Sequence, residues 1–308
     1  MRVVVTGAGG FVGRHLVAAL GGAGHEVIPW VRREIPGAFV VDLARVDSVK
    51  FDGVDAVVHS AGVTPFAVGA GGNISGLFFE GNTAVTSALA KAVAASEVRF
   101  FVHLSSIAAA GFTGYSSGRG LSEDEAIEPA GSYGKSKFLA EGPVEELRFA
   151  GKMGVNLRLP LLYGDGAGGN WRRLVRLARS PLPLPFGAVK NRRSFCGIEN
   201  LTDLVLTILA RGDEPARSGT YHVADAEVVS LSEVIGVLRS AYGEKAGMFS
   251  FPPAIIQKLF KVAGRGSAGE GLFGDLVINS ARVCETFSWS PAVETLEGMR
   301  RSVARAGS

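Results

Sequence analysis

The 308-residue chain has only two cysteines, Cys196 and Cys284, whose separation supplies neither a disulfide framework nor a metal-ligand spacing. Two free thiols suit a reducing compartment, so the chain reads as cytoplasmic. Long apolar runs are lacking as well. The valines at positions 3 to 5 stop at Thr6 and Gly7, too short for a signal peptide. The stretch "TAVTSALAKAVAASEV" is broken by Lys91 and Glu97, so no membrane span is expected. A strong charge of either sign is also missing. The net charge of +3 argues against a nucleic-acid or anionic-membrane partner and leaves room for a few arginines aimed at one small anion. With 47% hydrophobic and 20% charged residues, disorder is excluded. Glycine alone is in excess, 42 residues against a usual ~7%, without a collagen-like period. That points to tight turns and close backbone approaches.

Strand-length apolar runs alternate with helical segments in the first half. "RVVVTG", "HEVIPWV", "AFVVDL", "VDAVVHSAG", "RFFVHLSS" and "VNLRLPLLYG" read as strands. "FVGRHLVAALGGAG", "EGNTAVTSALAKAVAASEV" and "SYGKSKFLAEGPVEELRFAG" read as helices. Runs of Val, Leu and Phe without polar alternation indicate strands covered on both faces, hence an α/β fold with a doubly wound parallel sheet. After Gly164 the texture changes to a flexible "GDGAGGN", a proline-spaced "PLPLPFG" and short strands such as "GTYHVAD" mixed with helices such as "SLSEVIGVLRSAYG" and "PPAIIQKLFKVAG". A boundary near 165 therefore separates a first domain, 1–165, from a smaller α/β subdomain, 166–308, with some crossing back.

In "TGAGGFVG", between a strand and a helix, Gly7 can turn the chain, Gly10 lets backbone approach a diphosphate, and Gly13 allows close helix–sheet packing. The helix start at Phe11, Val12 and Gly13 offers unpaired N–H groups to phosphates. This is the dinucleotide-binding arrangement of a Rossmann-type domain, although a glycine-rich turn alone would be purely structural. An acid at the end of the second strand usually binds the adenosine ribose of NAD. Here "IPWVRRE" has Trp30 and Val31 at that place, then Arg32 and Arg33. Two guanidiniums suit a 2′-phosphate, which favours NADP over NAD; a solvated arginine pair is the alternative. Asp42 and Leu43, after the third strand, are candidates for the adenine edge, or simply begin a turn.

"SYGKSK" places Tyr133 and Lys137 four apart on one helix face. An ammonium near a phenol favours the phenolate and would bring its pKa of ~10 toward neutrality, making Tyr133 a usable acid or base. "FVHLSS" ends a strand with Ser105 and Ser106 at the edge where doubly wound sheets bind ligands.

These residues together resemble an extended short-chain dehydrogenase/reductase of the NAD-dependent epimerase/dehydratase family, over essentially the whole chain. The TGxxGxxG pattern falls on Thr6, Gly7, Gly10 and Gly13, and the YxxxK pair on Tyr133 and Lys137. The family's catalytic Ser/Thr falls on Ser106, five residues before Gly111. "VVHSAG" is similar to the HxAA stretch that lines the cofactor, here His59, Ser60, Ala61 and Gly62. Asn82 matches a helix asparagine of the family, and "RLPLLYG" resembles RPxxVYG, which would put Pro160 and Tyr163 beside the nicotinamide. "NRRSFCGIENLTDLV" resembles an element whose arginine, here Arg193, binds a nucleotide-sugar diphosphate; Asn170 is a further candidate substrate contact. The family's RRPGD motif is missing.

The resemblance implies an NAD(P)-dependent enzyme acting at C4 of a UDP-linked hexose, with Ser106, Tyr133 and Lys137 catalytic. It would be a 4-epimerase or a reductase of a 4-keto sugar. A dehydratase is disfavoured, because Ile107 and Ala108 stand where an acid and a base would follow the serine. A non-catalytic NADP-binding sensor of the same fold is the other class, and it would typically lack the tyrosine or the lysine. Relatives often dimerise through two helices of the first domain; "AVTSALAKAVAA" and "SKFLAEGPVEEL" would correspond, though helices covering a sheet are equally apolar.

Overall fold

A computed structural model describes residues 1–43, 45, 51–67, 73–111, 120–125, 128–244, 247–262 and 272–304. Strand β1 (Arg2–Thr6) leads into helix α1 (Phe11–Gly22), β2 (Glu26–Val31), the two-residue β3 (Phe39–Val40) and β4 (Ala56–His59). Next come α2 (Ile74–Phe78), a π-helical segment Phe79–Ala84 and α3 (Val85–Ala94). β5 (Phe100–Ser106), α4 (Gly131–Glu145) and β6 (Met153–Leu159) follow. The remainder comprises β7 (Leu161–Tyr163), α5 (Gly169–Ala178), β8 (Phe195–Gly197), α6 (Ile198–Ala210), β9 (Gly219–His222), α7 (Leu231–Ala241), α8 (Pro253–Val262) and helices Ala281–Phe287 and Thr295–Ala304.

Seven parallel strands form one sheet in the order β3-β2-β1-β4-β5-β6-β9. The order reverses between β1 and β4, which opens a crevice outside their carboxyl ends. "AFVVDL" contributes only Phe39 and Val40, both exposed at the sheet edge. "VNLRLPLLYG" is two strands rather than one. Pro160 has no N–H for the ladder, so the chain leaves β6 there, and β7 pairs with β8 in a separate two-stranded sheet. The long helix expected before β5 is interrupted by the π-helical turn. The last residues expected in the "PPAIIQKLFKVAG" helix lie outside the described residues. Beyond residue 165, β9 joins β6 in the main sheet and α6 packs on α1.

Side chains of adjacent strand residues point to opposite faces. One face carries Val3, Val5, Ala56, Val58, Phe100, Val102 and Val155, packed with Leu16 and Leu20 of α1 and Leu201, Leu204 and Ile208 of α6. The other face carries Val4, Val57 and Phe101 against Leu89 and Val93 of α3. Toward the carboxyl ends this second face turns polar, with Thr6, His59, His103, Ser105, Asn156, Arg158 and His222 all buried. Helix α4 meets them with buried Ser136, Lys137 and Glu141. A separate core, including Trp171, Phe186, Phe195, Ile235, Leu238 and Met299, holds the later elements together.

Candidate active site

The β1–α1 turn is built by glycine. Gly7 has φ +67°, and a Cβ there would meet Ala61 N at 2.7 Å. A Cβ on Gly13 would run into Gly7 O and Ala8 Cα, so only glycine lets α1 lie this close to the turn. The turn closes through Gly10 N to Gly7 O at 2.9 Å. Gly10 caps α1 without a side-chain hydrogen bond, which leaves the first-turn N–H groups of Phe11, Val12 and Gly13 for an external acceptor. Ser60 Oγ donates to Thr6 O at 2.6 Å, and Ala61 N donates to Thr6 Oγ1 at 3.3 Å, so the loop after β4 is tied to the glycine turn. On the other side, Ala8 N donates to Trp30 O at 3.1 Å, holding the end of β2 beside the turn. Arg32 and Arg33 follow directly and are exposed. Asp42, exposed, lies 3.9 Å from Arg45, and Leu43 packs beside the Val57 core. A cradle that any Cβ would fill, open N–H groups and flanking guanidiniums fit a dinucleotide phosphate chain.

At the carboxyl end of β5, Ser106 caps a short 3-10 turn, its Oγ accepting from Ala108 N at 3.2 Å. The same side chain hydrogen-bonds Tyr133. Gly134 allows this approach, since a Cβ there would strike Ala108 O. Lys137, one turn further along α4, is buried and donates to Leu104 O at 2.7 Å. Its Nζ also lies near Gly62 of the loop after β4. Burial lowers the Lys137 pKa to about 8, with the Glu141 charge opposing. The Tyr133 phenol is pushed up by burial, and the Ser106 hydrogen bond only partly opposes this. The lowering expected from the Tyr133–Lys137 spacing is thus replaced by a rise: burial raises the phenol, and Lys137 donates to a carbonyl in β5.

The model of the NAD dependent epimerase/dehydratase family matches residues 3–224. The chain belongs to this family. It is an enzyme of the extended short-chain dehydrogenase/reductase type. It is 31% identical to a UDP-glucose 4-epimerase of Vibrio cholerae over 229 residues, 73% of this chain and 69% of that one. Identity is 33% over 183 residues to a dTDP-6-deoxy-L-talose 4-dehydrogenase (NAD(P)(+)) of Kitasatospora kifunensis, 55% of each chain. Among solved structures, UDP-N-acetylglucosamine 4-epimerase from Bacillus cereus superposes with a TM-score of 0.79 at 21% identity, covering 99% of both chains.

Several residues that the family pattern assigns to ligands are placed otherwise. Asn82 is 1% exposed and spends its amide on the chain itself. Its Oδ1 accepts from Val63 N at 2.8 Å, and its Nδ2 donates to Val63 O and Ser136 Oγ, both at 3.0 Å. It therefore braces the loop after Gly62 instead of reaching into the cleft. Tyr163, expected beside the nicotinamide, is 1% exposed, its ring tilted against Trp171, and its hydroxyl donates to Asp225 Oδ2 at 2.7 Å. The chain turn at Pro160 carries it into the second core. Pro160 itself is buried at the end of β6. Asn170 is exposed at the start of α5, near Phe66, which Arg173 covers. Arg193 lies in a bridge to Val229 and Leu276, and its Nη1 donates to Gly274 O at 2.7 Å.

Two buried polar contacts of the site escaped the motif reading. Ser105 donates to Glu141 Oε1 at 2.6 Å, and Glu141 is bound by Arg158, so the serine next to Ser106 belongs to the buried network. His103 lies 3.3 Å from Lys137 Nζ. Both were signalled by polar residues at every second position of otherwise apolar strands: His103 and Ser105, Asn156 and Arg158, Thr220 and His222. Among the described residues no helix is long and apolar enough to cross a membrane, and no group of three or more His, Cys, Asp or Glu could hold a metal ion.

Proposed function

We propose that this enzyme exchanges a hydride at C4 of a nucleotide-linked hexose, with Tyr133 as the acid/base. The observation that carries this reading is the Ser106–Tyr133 hydrogen bond at the carboxyl edge of β5, one helical turn from Lys137 and facing the loops tied to the glycine turn. The C4 chemistry printed in both relatives' names supports it.

A nicotinamide dinucleotide held on the Gly7–Gly13 turn would supply the hydride exchange. Tyr133 takes the proton of the 4-hydroxyl in the oxidative direction and returns it in the reductive one. A phenol raised by burial is the protonated donor at neutral pH, which suits delivery to a carbonyl. Ser106 hydrogen-bonds both Tyr133 and the substrate oxygen, aligning the two. Lys137 holds the nicotinamide ribose, and Arg193 the diphosphate of the sugar nucleotide.

Two outcomes remain within this chemistry, a UDP-hexose 4-epimerase and a 4-keto-sugar reductase. Arg32 and Arg33 at the end of β2 favour NADPH, and hence the reductase, as the second reading. Incubation of purified protein with UDP-glucose or UDP-N-acetylglucosamine and NAD, with product epimers resolved by chromatography, tests the first. Loss of absorbance near ~340 nm with NADPH and a 4-keto sugar nucleotide tests the second. A protein that binds cofactor but turns over none of these is a sensor or scaffold, and the proposal falls.

A further inference from the structure

Five strands contribute one polar residue each to a single row across the sheet. Thr6, His59, His103, Asn156 and Thr220 are successive register partners on β1, β4, β5, β6 and β9. Buried polar groups are costly unless paired, and these are paired. His59 lies between Thr6 Oγ1 at 2.7 Å and Thr86 Oγ1 at 3.0 Å, its ring stacked 5.5 Å from that of His103. His103 Nδ1 is 2.8 Å from Asn156 Oδ1, Asn156 Nδ2 donates to Thr220 Oγ1 at 3.1 Å, and Thr220 donates to Glu145 Oε1 at 2.5 Å.

One carbonyl fixes the direction of this chain. Glu141 O can only accept, so the Asn156 atom 3.0 Å from it is the amide nitrogen. The Asn156 oxygen therefore faces His103 and can only accept, which puts a hydrogen on His103 Nδ1. Burial and the Lys137 charge hold His103 well below its usual pKa, so the ring is neutral and Nε2 presents a lone pair. That lone pair lies 3.3 Å from Lys137 Nζ. Every donor then runs one way, from Lys137 through His103, Asn156 and Thr220 to Glu145.

We propose that His103 is a positioning residue for Lys137: locked as its Nδ1–H tautomer by Asn156, it offers Nε2 as a fixed acceptor that holds the ammonium in place and in its protonated form. The groups around Lys137 are His103 and His59 on the sheet, and Tyr133 and Glu141 on α4, with Arg158 of β6 paired to Glu141. The Glu141 charge, which Arg158 shares, and the Leu104 carbonyl at 2.7 Å favour the ammonium against burial, and His103 Nε2 is the side-chain acceptor that the sheet adds to them. The consequence for turnover rests on the function proposed above; the His103–Lys137 contact does not.

The test is a titration of Lys137 in cofactor-free protein, read from its side-chain NMR resonance in lysine-labelled samples and assigned with Lys137→Met. The wild-type midpoint is expected near the value of about 8 set by burial. His103→Phe removes the acceptor, and the midpoint falls by about one to two pH units, the worth of one charge-assisted hydrogen bond. His103→Gln, which keeps an acceptor and guards against a folding defect in the phenylalanine variant, recovers most of that shift. The alkaline limb of kcat moves with the midpoint in each variant. An unchanged midpoint in both variants overturns the proposal, while a shifted midpoint with an unmoved kcat profile upholds the His103–Lys137 contact and overturns its consequence for turnover. If wild-type protein turns over no sugar nucleotide, the proposed function fails and the resonance alone decides the role of His103.

Discussion

Glu141, on the helix that carries Tyr133 and Lys137, and Arg158 of β6 form an ion pair at 2.7 Å with both side chains 4% exposed. Ser105 completes the carboxylate from one side and His222 meets the guanidinium from the other. Removing one partner of such a pair leaves an uncompensated buried charge, which costs ~3–5 kcal/mol. Glu141→Ala is therefore expected to lower the urea-unfolding free energy by that amount, whereas Glu141→Leu with Arg158→Met should cost much less. A loss under ~1 kcal/mol for the single variant would show that water reaches the pair.

The buried histidines set an acid limit. Burial takes His59 down to about 3 and His222 down to about 4, and holds His103 well below its ordinary value. The unfolded chain protonates these imidazoles near pH ~6.5 while the folded chain does not, so the unfolded state binds more protons between those limits. Stability then falls as pH drops from ~6.5 toward 4, by about 1.4 kcal/mol per pH unit for each histidine. Unfolding free energies measured at pH 7 and pH 5 check the sign; a level profile contradicts it.

The doubly wound parallel sheet and the glycine turn were legible because each depends on local rules: apolar run length, Gly7 and Gly13, and the position of Ser106 after β5. What side chains do at the ends of strands was less legible. Tyr163 matches its motif by position, yet Pro160 diverts the chain and Asp225, far along the sequence, captures the hydroxyl. Asn82 lies in a π-helical turn that aims it at Val63, and nothing in "EGNTAV" announces that turn. The Tyr133–Lys137 spacing gives proximity, but the balance between charge and desolvation depends on what buries them. The polar half-face under α4 was written in the period of two along β5, β6 and β9, and was hidden by reading those runs as uniformly apolar.

Tyr133→Phe should reduce turnover by at least ~10²-fold, the lower range for loss of an acid/base group. Cofactor affinity should stay nearly unchanged, because the glycine turn and the first turn of α1 do not involve the hydroxyl. Steady-state rates and a cofactor titration on the same preparation separate the two effects. Wild-type kcat in the variant would remove Tyr133 from the chemistry.

Arg32→Ala should weaken NADPH by ~10-fold or more and leave NADH little altered. The exposed guanidinium follows Trp30, whose carbonyl is bonded to Ala8 in the glycine turn, so it stands next to the place an adenosine ribose would take. A charged hydrogen bond to a 2′-phosphate contributes ~1.5–3 kcal/mol. Equal losses for the two cofactors in fluorescence titrations would make Arg32 an ordinary surface charge.

Arg193→Lys addresses the substrate. The Arg193 backbone is fixed by Val229 and its Nη1 by Gly274 O, so the guanidinium is held in a set orientation, and burial lowers its pKa while the Asp275 charge opposes the shift. A fork positioned in advance can bind two oxygens of a diphosphate in one plane, which a lysine cannot reproduce. Lysine keeps the charge, loses the bidentate geometry and releases Gly274. The expected outcome is a rise of ~10-fold or more in KM for the sugar nucleotide, from the loss of one charge-assisted hydrogen bond, with kcat falling less. The RRPGD motif, which carries a second diphosphate arginine in the family pattern, is missing from the sequence, so that arginine should not mask the effect. A purely structural arginine would instead lower the melting temperature and leave KM unchanged, and that result would detach Arg193 from the substrate.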